Sequence, residues 1–123
     1  MNSESKVTLV IGGSLKPERY SNKAIIKLNQ YGHTVFSIGL RSGTVDGIEI
    51  LTGHPNLENI DTVTLYIGPS HQNEYFEYII SLKPKRVIFN PGTENAELSK
   101  TLIANDIEVV EHCTLVMLDY GLY

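Results

Sequence analysis

The chain opens with a short apolar strand that runs directly into a glycine turn and a basic loop. Residues Val7–Ile11 read VTLVI, Gly12-Gly13-Ser14 follow, and a helical pattern begins near Ser21 and Asn22. In parallel α/β folds this order places a tight turn beside the free N–H groups of a helix start, where phosphate binds. The alternative is a strand-to-helix turn that binds no ligand, because a Gly-Gly turn without a third glycine is not the full dinucleotide fingerprint.

Strand-like and helix-like segments alternate along the rest of the chain. The predicted strands are 7–11, 35–38, 62–67, 86–89 and 107–110, with 48–51 as a candidate edge strand, and the predicted helices are 22–31 (N-cap Ser21), 70–82 and 95–105. This alternation predicts a single α/β domain with a doubly wound, mostly parallel five-stranded sheet and helices on both faces. The domain spans residues 1–123, with residues 1–5 as a polar tail.

In a doubly wound sheet the first strand is central, and a crevice opens at the carboxyl ends of the strands where the winding reverses. The loops that meet there are 12–22, 39–43, 68–72 and 90–94. Lys16, Arg19 and Lys23 add cations beside the first helix. Arg41 stands near the place of the acidic residue that would bind the ribose of a nicotinamide cofactor. An arginine at this position can bind a ribose phosphate or stack on a base, and the alternative is an ordinary loop arginine that binds no ligand.

Composition narrows the classes of partner. The net charge of -4 over 123 residues disfavours non-specific binding to nucleic acid. No apolar run approaches the roughly 20 residues that a membrane span needs. The polar N-terminus and the single cysteine, Cys113, favour a reducing cytoplasm. We expect a monomer or a homodimer.

The sequence offers few candidate catalytic residues. His112 and Cys113 are neighbours, and neighbours on an extended segment point to opposite faces, so we expect no nucleophile–base pair there. A lone cysteine at a strand end is typical of a small buried side chain. The sequence contains no G-x-S-x-G elbow and no Walker lysine. These observations favour a binding module over an enzyme.

Several motifs in order resemble one known family. The pattern GGS-x-x-P-x-R-x-S, then YGHTVFSIG, FNPGTEN and HCTLVML, is similar to small bacterial proteins that consist of a CoA-binding domain. These proteins are related to the CoA-binding domain of succinyl-CoA synthetase, and the resemblance runs from about Lys6 to Leu118. It implies a Rossmann-like domain that binds coenzyme A (CoA) or an acyl-CoA at the crevice.

The resemblance also implies a set of binding residues, to which the first loop adds Gly13 and Lys16. They are Gly12, Ser14, Arg19, Ser21 and Asn22 for the phosphates; Ile38, Gly39 and Arg41 for adenosine; Ile67, Gly68 and Pro69 as a wall; and Asn90, Pro91, Gly92 and Thr93 near the pantetheine path. Two alternatives stay open. One is a small NAD(P)- or acyl-CoA-dependent enzyme, and the other is a redox sensor in which Cys113 forms a mixed disulfide with the CoA thiol.

Overall fold

A computed structural model describes residues 5–123, so residues 1–4 of the predicted polar tail lie outside the described residues. The strands are β1 (Thr8–Ile11), β2 (Val35–Ile38), β3 (Gly43–Val45), β4 (Ile48–Leu51), β5 (Thr62–Leu65), β6 (Arg86–Phe89) and β7 (Glu108–Glu111). The helices are α1 (Tyr20–Gln30), α2 (Phe76–Leu82), α3 (Ala96–Ala104) and α4 (Thr114–Asp119). Over residues 5–123 no helix has both the length and the apolar character that crossing a membrane requires.

The strands form one sheet in the order β3-β4-β2-β1-β5-β6-β7. Every neighbouring pair is parallel except β3 and β4, which form an antiparallel hairpin. The central position of β1, between β2 and β5, confirms the predicted doubly wound arrangement. The sheet has seven strands rather than five, because the candidate edge strand forms as β4 and pairs with the unpredicted β3.

Apolar residues on both faces of the strands account for the two layers of helix. Leu9 and Ile11 of β1 face one side, where they pack with residues of α2 and α3 such as Ile79 and Leu98. Val10 faces the other side, with α1 and α4. Since successive side chains of a strand point to opposite faces, a continuous apolar run fits a strand covered on both sides.

Two helix starts differ from the sequence prediction. Ser21 does not cap α1: the helix begins at Tyr20, two residues earlier than predicted, and Arg19 occupies the N-cap position. The predicted helix 70–82 begins instead as two 3-10 turns, Pro69–His71 and Asn73–Tyr75, before α2. Gln72 lies between these turns and is fully buried.

The start of α3 follows its prediction. Asn95, the first residue of the predicted helix 95–105, lies at the N-cap position. Its side-chain Oδ1 accepts a hydrogen bond from the Leu98 N–H at 3.1 Å. This bond satisfies one of the free donors of the first turn. It also fixes the end of the loop that follows β6.

Candidate functional site

A cleft of about 800 Å³ opens at the carboxyl ends of β1, β2, β5 and β6, where the sequence predicted a crevice. Its volume falls in the range of roughly 300–1,000 Å³ that is usual for ligand pockets. The predicted site residues that line it are Gly12, Gly13, Ser14, Lys16, Arg19, Ser21, Arg41, Ile67, Pro91 and Thr93. They come from loops after four different strands, so the fold brings these loops together.

The glycine turn is held against the loop that follows β2. The N–H groups of Gly12 and Gly13 both donate to the Ile38 carbonyl oxygen, at 2.8 and 2.9 Å. Gly12 has a φ of 98°, a conformation that side-chain-bearing residues rarely adopt. These two amides are therefore occupied within the protein, and their role is to shape the turn.

Two of the predicted adenosine contacts lie behind the cleft. Ile38 and Gly39 are buried and are absent from its lining. A Cβ added to Gly39 would overlap the Gly13 carbonyl oxygen, and one added to Gly13 would overlap Ser37 Oγ. Glycine at both positions allows the two loops to approach each other closely.

Asn22 also supports the first loop from inside. Its side chain is buried, and its Nδ2 donates to the Ser14 carbonyl oxygen at 2.9 Å. Ser14 Oγ in turn accepts the Lys16 N–H at 3.1 Å. Asn22 therefore lies outside the cleft lining, and it orients the loop that carries Ser14 and Lys16.

The start of α1 faces this cleft with its amide groups uncapped. Within residues 5–123 no side chain caps the helix, and its first turn contains no acidic residue. Such a helix end carries a partial positive charge on unpaired N–H groups. The charged residues of the lining are Lys16, Arg19 and Arg41, with no carboxylate among the described lining residues. The cleft is thus basic although the chain carries a net charge of -4.

The opposite wall comes from the loops after β5 and β6. Ile67, Pro91 and Thr93 line it, whereas Gly68, Pro69 and Gly92 do not. Asn90 is buried, and its carboxamide is fully used inside the protein, which is why it does not reach the cleft. Its Nδ2 donates to Thr64 Oγ1 and the Leu65 carbonyl, and its Oδ1 accepts the Thr114 N–H.

Sequence reasoning missed five lining residues, which are Leu15, Pro17, Tyr20, Leu40 and Tyr66. Leu40 is 95% exposed and Tyr20 70% exposed, so the mouth of the cleft presents apolar surface to solvent. Four of the five, Leu15, Pro17, Tyr20 and Leu40, lie within the predicted loops 12–22 and 39–43, and that position was the available signal. Tyr66 fell within the predicted strand 62–67, but β5 ends at Leu65. Burial raises the pKa of Tyr66, so its hydroxyl stays protonated at neutral pH.

Cys113 lies outside the cleft lining. It is half-buried rather than buried as predicted, and it occupies the N-cap position of α4. His112 Nδ1 accepts the Cys113 backbone N–H at 2.7 Å, so this ring contacts the main chain. No group of three or more potential metal ligands occurs in the part of the chain that the structure describes.

The sequence matches the model of the family described as "CoA binding domain" over residues 6–119. The chain belongs to this CoA-binding domain family. The match confirms the resemblance and covers every lining residue of the cleft. No protein of curated function matches this CoA-binding domain.

Solved structures show the same fold. The CoA-binding domain is similar to an uncharacterized protein at 47% identity, with a TM-score of 0.95 over 98% of this chain and 100% of that one. A hypothetical protein from Pyrococcus horikoshii OT3 is 26% identical, with a TM-score of 0.86 over 97% and 85% of the two chains. A protein from Thermus thermophilus shares the fold at 20% identity, with a TM-score of 0.85 over 97% and 91%.

Proposed function

We propose that this CoA-binding domain holds CoA or an acyl-CoA in the cleft at the carboxyl ends of the strands, without chemistry of its own. The observation that carries the proposal is the charge of the cleft. Three cations and an uncapped helix start face a space with no described carboxylate, in a chain of net charge -4. An anionic ligand explains why positive charge is concentrated there.

The phosphates are assigned to the start of α1. Its first-turn N–H groups and the side chains of Ser14 and Ser21 supply neutral donors. Lys16 and Arg19 supply charged donors on the same side. Helix dipole and charge-assisted hydrogen bonds both favour phosphate at such a position.

The adenosine part is assigned to the mouth of the cleft near Arg41. Leu40 and Tyr20 present apolar surface there, and both are largely exposed. A base that covers this surface removes it from water, and a guanidinium can stack on a base or pair with a ribose phosphate. Arg41 therefore has two ways to contact the nucleotide.

The pantetheine arm is assigned to the wall formed by Ile67, Pro91 and Thr93. Ile67 and Pro91 give this wall apolar side chains and Thr93 adds a hydroxyl group, a combination that suits a chain of methylene and amide groups. The described lining residues include no His, Cys, Asp or Glu, the usual nucleophiles and general bases apart from hydroxyls and amines. This composition supports binding rather than catalysis.

The lone cysteine of the chain is compatible with a reducing cytoplasm, where we place the protein.

A thermal-shift panel with CoA, acetyl-CoA, NAD, NADP and ATP tests this proposal. A ligand at 100 times its Kd stabilises the folded protein by about 2.7 kcal/mol, which raises the Tm by several degrees. We expect this shift with CoA and acetyl-CoA. Stabilisation by NAD or NADP alone would overturn the proposal and favour a redox enzyme.

A further inference from the structure

The wall assigned to the pantetheine arm consists of two separate loops. Ile67 follows β5, and Pro91 and Thr93 follow β6, so the wall keeps its shape only if the two loops are fixed to each other. Asn90, directly after β6, donates a hydrogen bond to the carbonyl oxygen of Leu65, the last residue of β5. This bond joins the two strand ends but does not reach the residues of the wall. A second connection is needed at the level of Ile67 and Thr93 themselves.

Gln72 makes that connection. Its Nε2 donates to the Ile67 carbonyl oxygen at 3.0 Å and to the Thr93 carbonyl oxygen at 2.7 Å. Its Oε1 accepts a hydrogen bond from Asn95 Nδ2 at 3.0 Å, and Asn95 is the N-cap of α3. Both hydrogens of the amide nitrogen and its oxygen are thus used, and one side chain joins three points of two loops.

The backbone around Gln72 is also fixed. Its N–H donates to the Pro69 carbonyl, and its carbonyl accepts the Tyr75 N–H, which places it between the two 3-10 turns. The side chain is fully buried and is absent from the cleft lining. Gln72 therefore contacts the wall residues Ile67 and Thr93 and does not itself face the cleft.

We infer that Gln72 is a positioning residue that sets the shape of the cleft wall for the pantetheine arm. The inference rests on the proposed function and deepens it. The phosphate side of the cleft, at Ser14, Lys16 and Arg19, belongs to a different loop, and the hydrogen bonds of the Gln72 side chain go to Ile67, Thr93 and Asn95 instead. A change at Gln72 therefore acts on the arm of CoA and leaves the nucleotide part unaffected.

The test is the variant Gln72→Glu, which keeps the shape of the side chain and replaces the amide donor with a carboxylate oxygen. That oxygen would face two carbonyl oxygens, so the two loops separate. Gln30→Glu, at an exposed position at the end of α1, is the matched control with the same change in charge. Each protein is titrated calorimetrically with CoA and with adenosine 3′,5′-bisphosphate, which lacks the arm.

We expect Gln72→Glu to weaken CoA binding by roughly 10- to 100-fold and to leave the affinity for the bisphosphate within about twofold. Asn95→Asp keeps the oxygen that caps α3 and removes the donor to Gln72 Oε1. Because the bonds from Gln72 to Ile67 and Thr93 remain, this variant should lose less CoA affinity than Gln72→Glu. Equal losses for both ligands, or no loss for CoA, would overturn the inference.

A measurement without ligand separates this inference from the proposed function. Amide hydrogen exchange of the free proteins should be faster over residues 66–72 and 91–95 in Gln72→Glu and unchanged in Gln30→Glu. Unchanged exchange in Gln72→Glu would show that Gln72 does not hold the two loops together. If the wild-type protein does not bind CoA, the proposed function fails, and the exchange result still decides whether Gln72 fixes the wall.

Discussion

Replacing Gly39 with alanine is expected to force apart the two loops that form the phosphate side of the cleft. The new Cβ would overlap the backbone oxygen of Gly13 and come within 3.0 Å of Ile50 Cγ2. Rotation of a side chain cannot relieve an overlap with a backbone atom. Gly39 is also held in place, since its N–H donates to the Leu51 carbonyl oxygen of β4 at 2.8 Å.

The magnitude follows from two terms. Extra volume in a closely packed place costs about 1–3 kcal/mol of stability. Separating the loops also strains the hydrogen bonds from the Gly12 and Gly13 N–H groups to the Ile38 carbonyl, which contribute about 1 kcal/mol each. A gain of about 0.4–1 kcal/mol from the less flexible unfolded chain offsets only part of this. We therefore expect a loss of about 2–4 kcal/mol, which lowers the Tm by roughly 6–20 °C in a domain of this size.

Thermal unfolding followed by circular dichroism measures this loss, and a titration with CoA measures its effect on binding, which should also weaken. Gly68→Ala is the matched control on the other side of the cleft. A Cβ there meets no atom within 4 Å, and the φ of -68° suits any residue. Its Tm should stay the same or rise slightly. Equal Tm values for the two variants would refute the argument that Gly39 is required for close approach of the loops.

Two further predictions concern charge. Arg19→Ala should weaken CoA binding by about 10- to 100-fold, because a charge-assisted hydrogen bond contributes roughly 1.5–3 kcal/mol, and its exposed side chain leaves the Tm unchanged. The pKa of His33 lies below 6.5, mainly because its ring is partly buried and also because Lys6 and Arg86 are positively charged. As the pH falls, His33 therefore binds a proton at a higher pH in the unfolded chain than in the folded protein. The free energy of unfolding consequently falls as the pH drops below 6.5. His33→Asn, which can still accept the Lys6 N–H, should reduce that fall.

Each of these variants has a control at an exposed position. Lys100→Ala removes a cation from α3 outside the cleft lining, and it should not change CoA affinity. His71→Asn should keep the wild-type dependence of Tm on pH. An unchanged affinity in Arg19→Ala would place the phosphates elsewhere. If His33→Asn shows the same loss of stability at low pH as wild type, the ring of His33 is not the group that titrates.

The central part of the fold could be predicted from local patterns. The bounds of β2 and β6 agree with the predicted strands 35–38 and 86–89, because buried parallel strands are short continuous apolar runs between turn residues. Of the hairpin of β3 and β4, only β4 was predicted, as the candidate edge strand 48–51. The turn, Asp46-Gly47, is a dipeptide typical of hairpin turns, and both residues have a positive φ.

The 3-10 turns before α2 could not be predicted in the same way. A helical pattern over 70–82 is compatible with the sequence, but Gln72 bonds to Thr93, which is 21 residues away. The start of α1 depends likewise on the bond between Asn22 and Ser14, which holds the preceding loop. Such contacts between distant segments are invisible to periodicity and propensity.

Contacts between distant segments also explain why some predicted site residues line the cleft and others do not. Topology decides which loops meet, so the loops carrying Arg19, Arg41 and Thr93 were predicted to lie together, and they do. Topology does not decide where each side chain points. Asn90 turns inward because it binds Thr64 and the Thr114 N–H, whereas Leu40, which was not predicted, reaches the cleft.

The central claim is that CoA occupies the cleft at the carboxyl ends of the strands. A titration of ¹⁵N-labelled protein with CoA, followed by two-dimensional NMR, tests both binding and location. We predict saturable shifts concentrated in residues 12–22, 40–41, 66–68 and 91–93. An absence of shifts at millimolar CoA, or shifts confined to the opposite end of the sheet, would contradict the account.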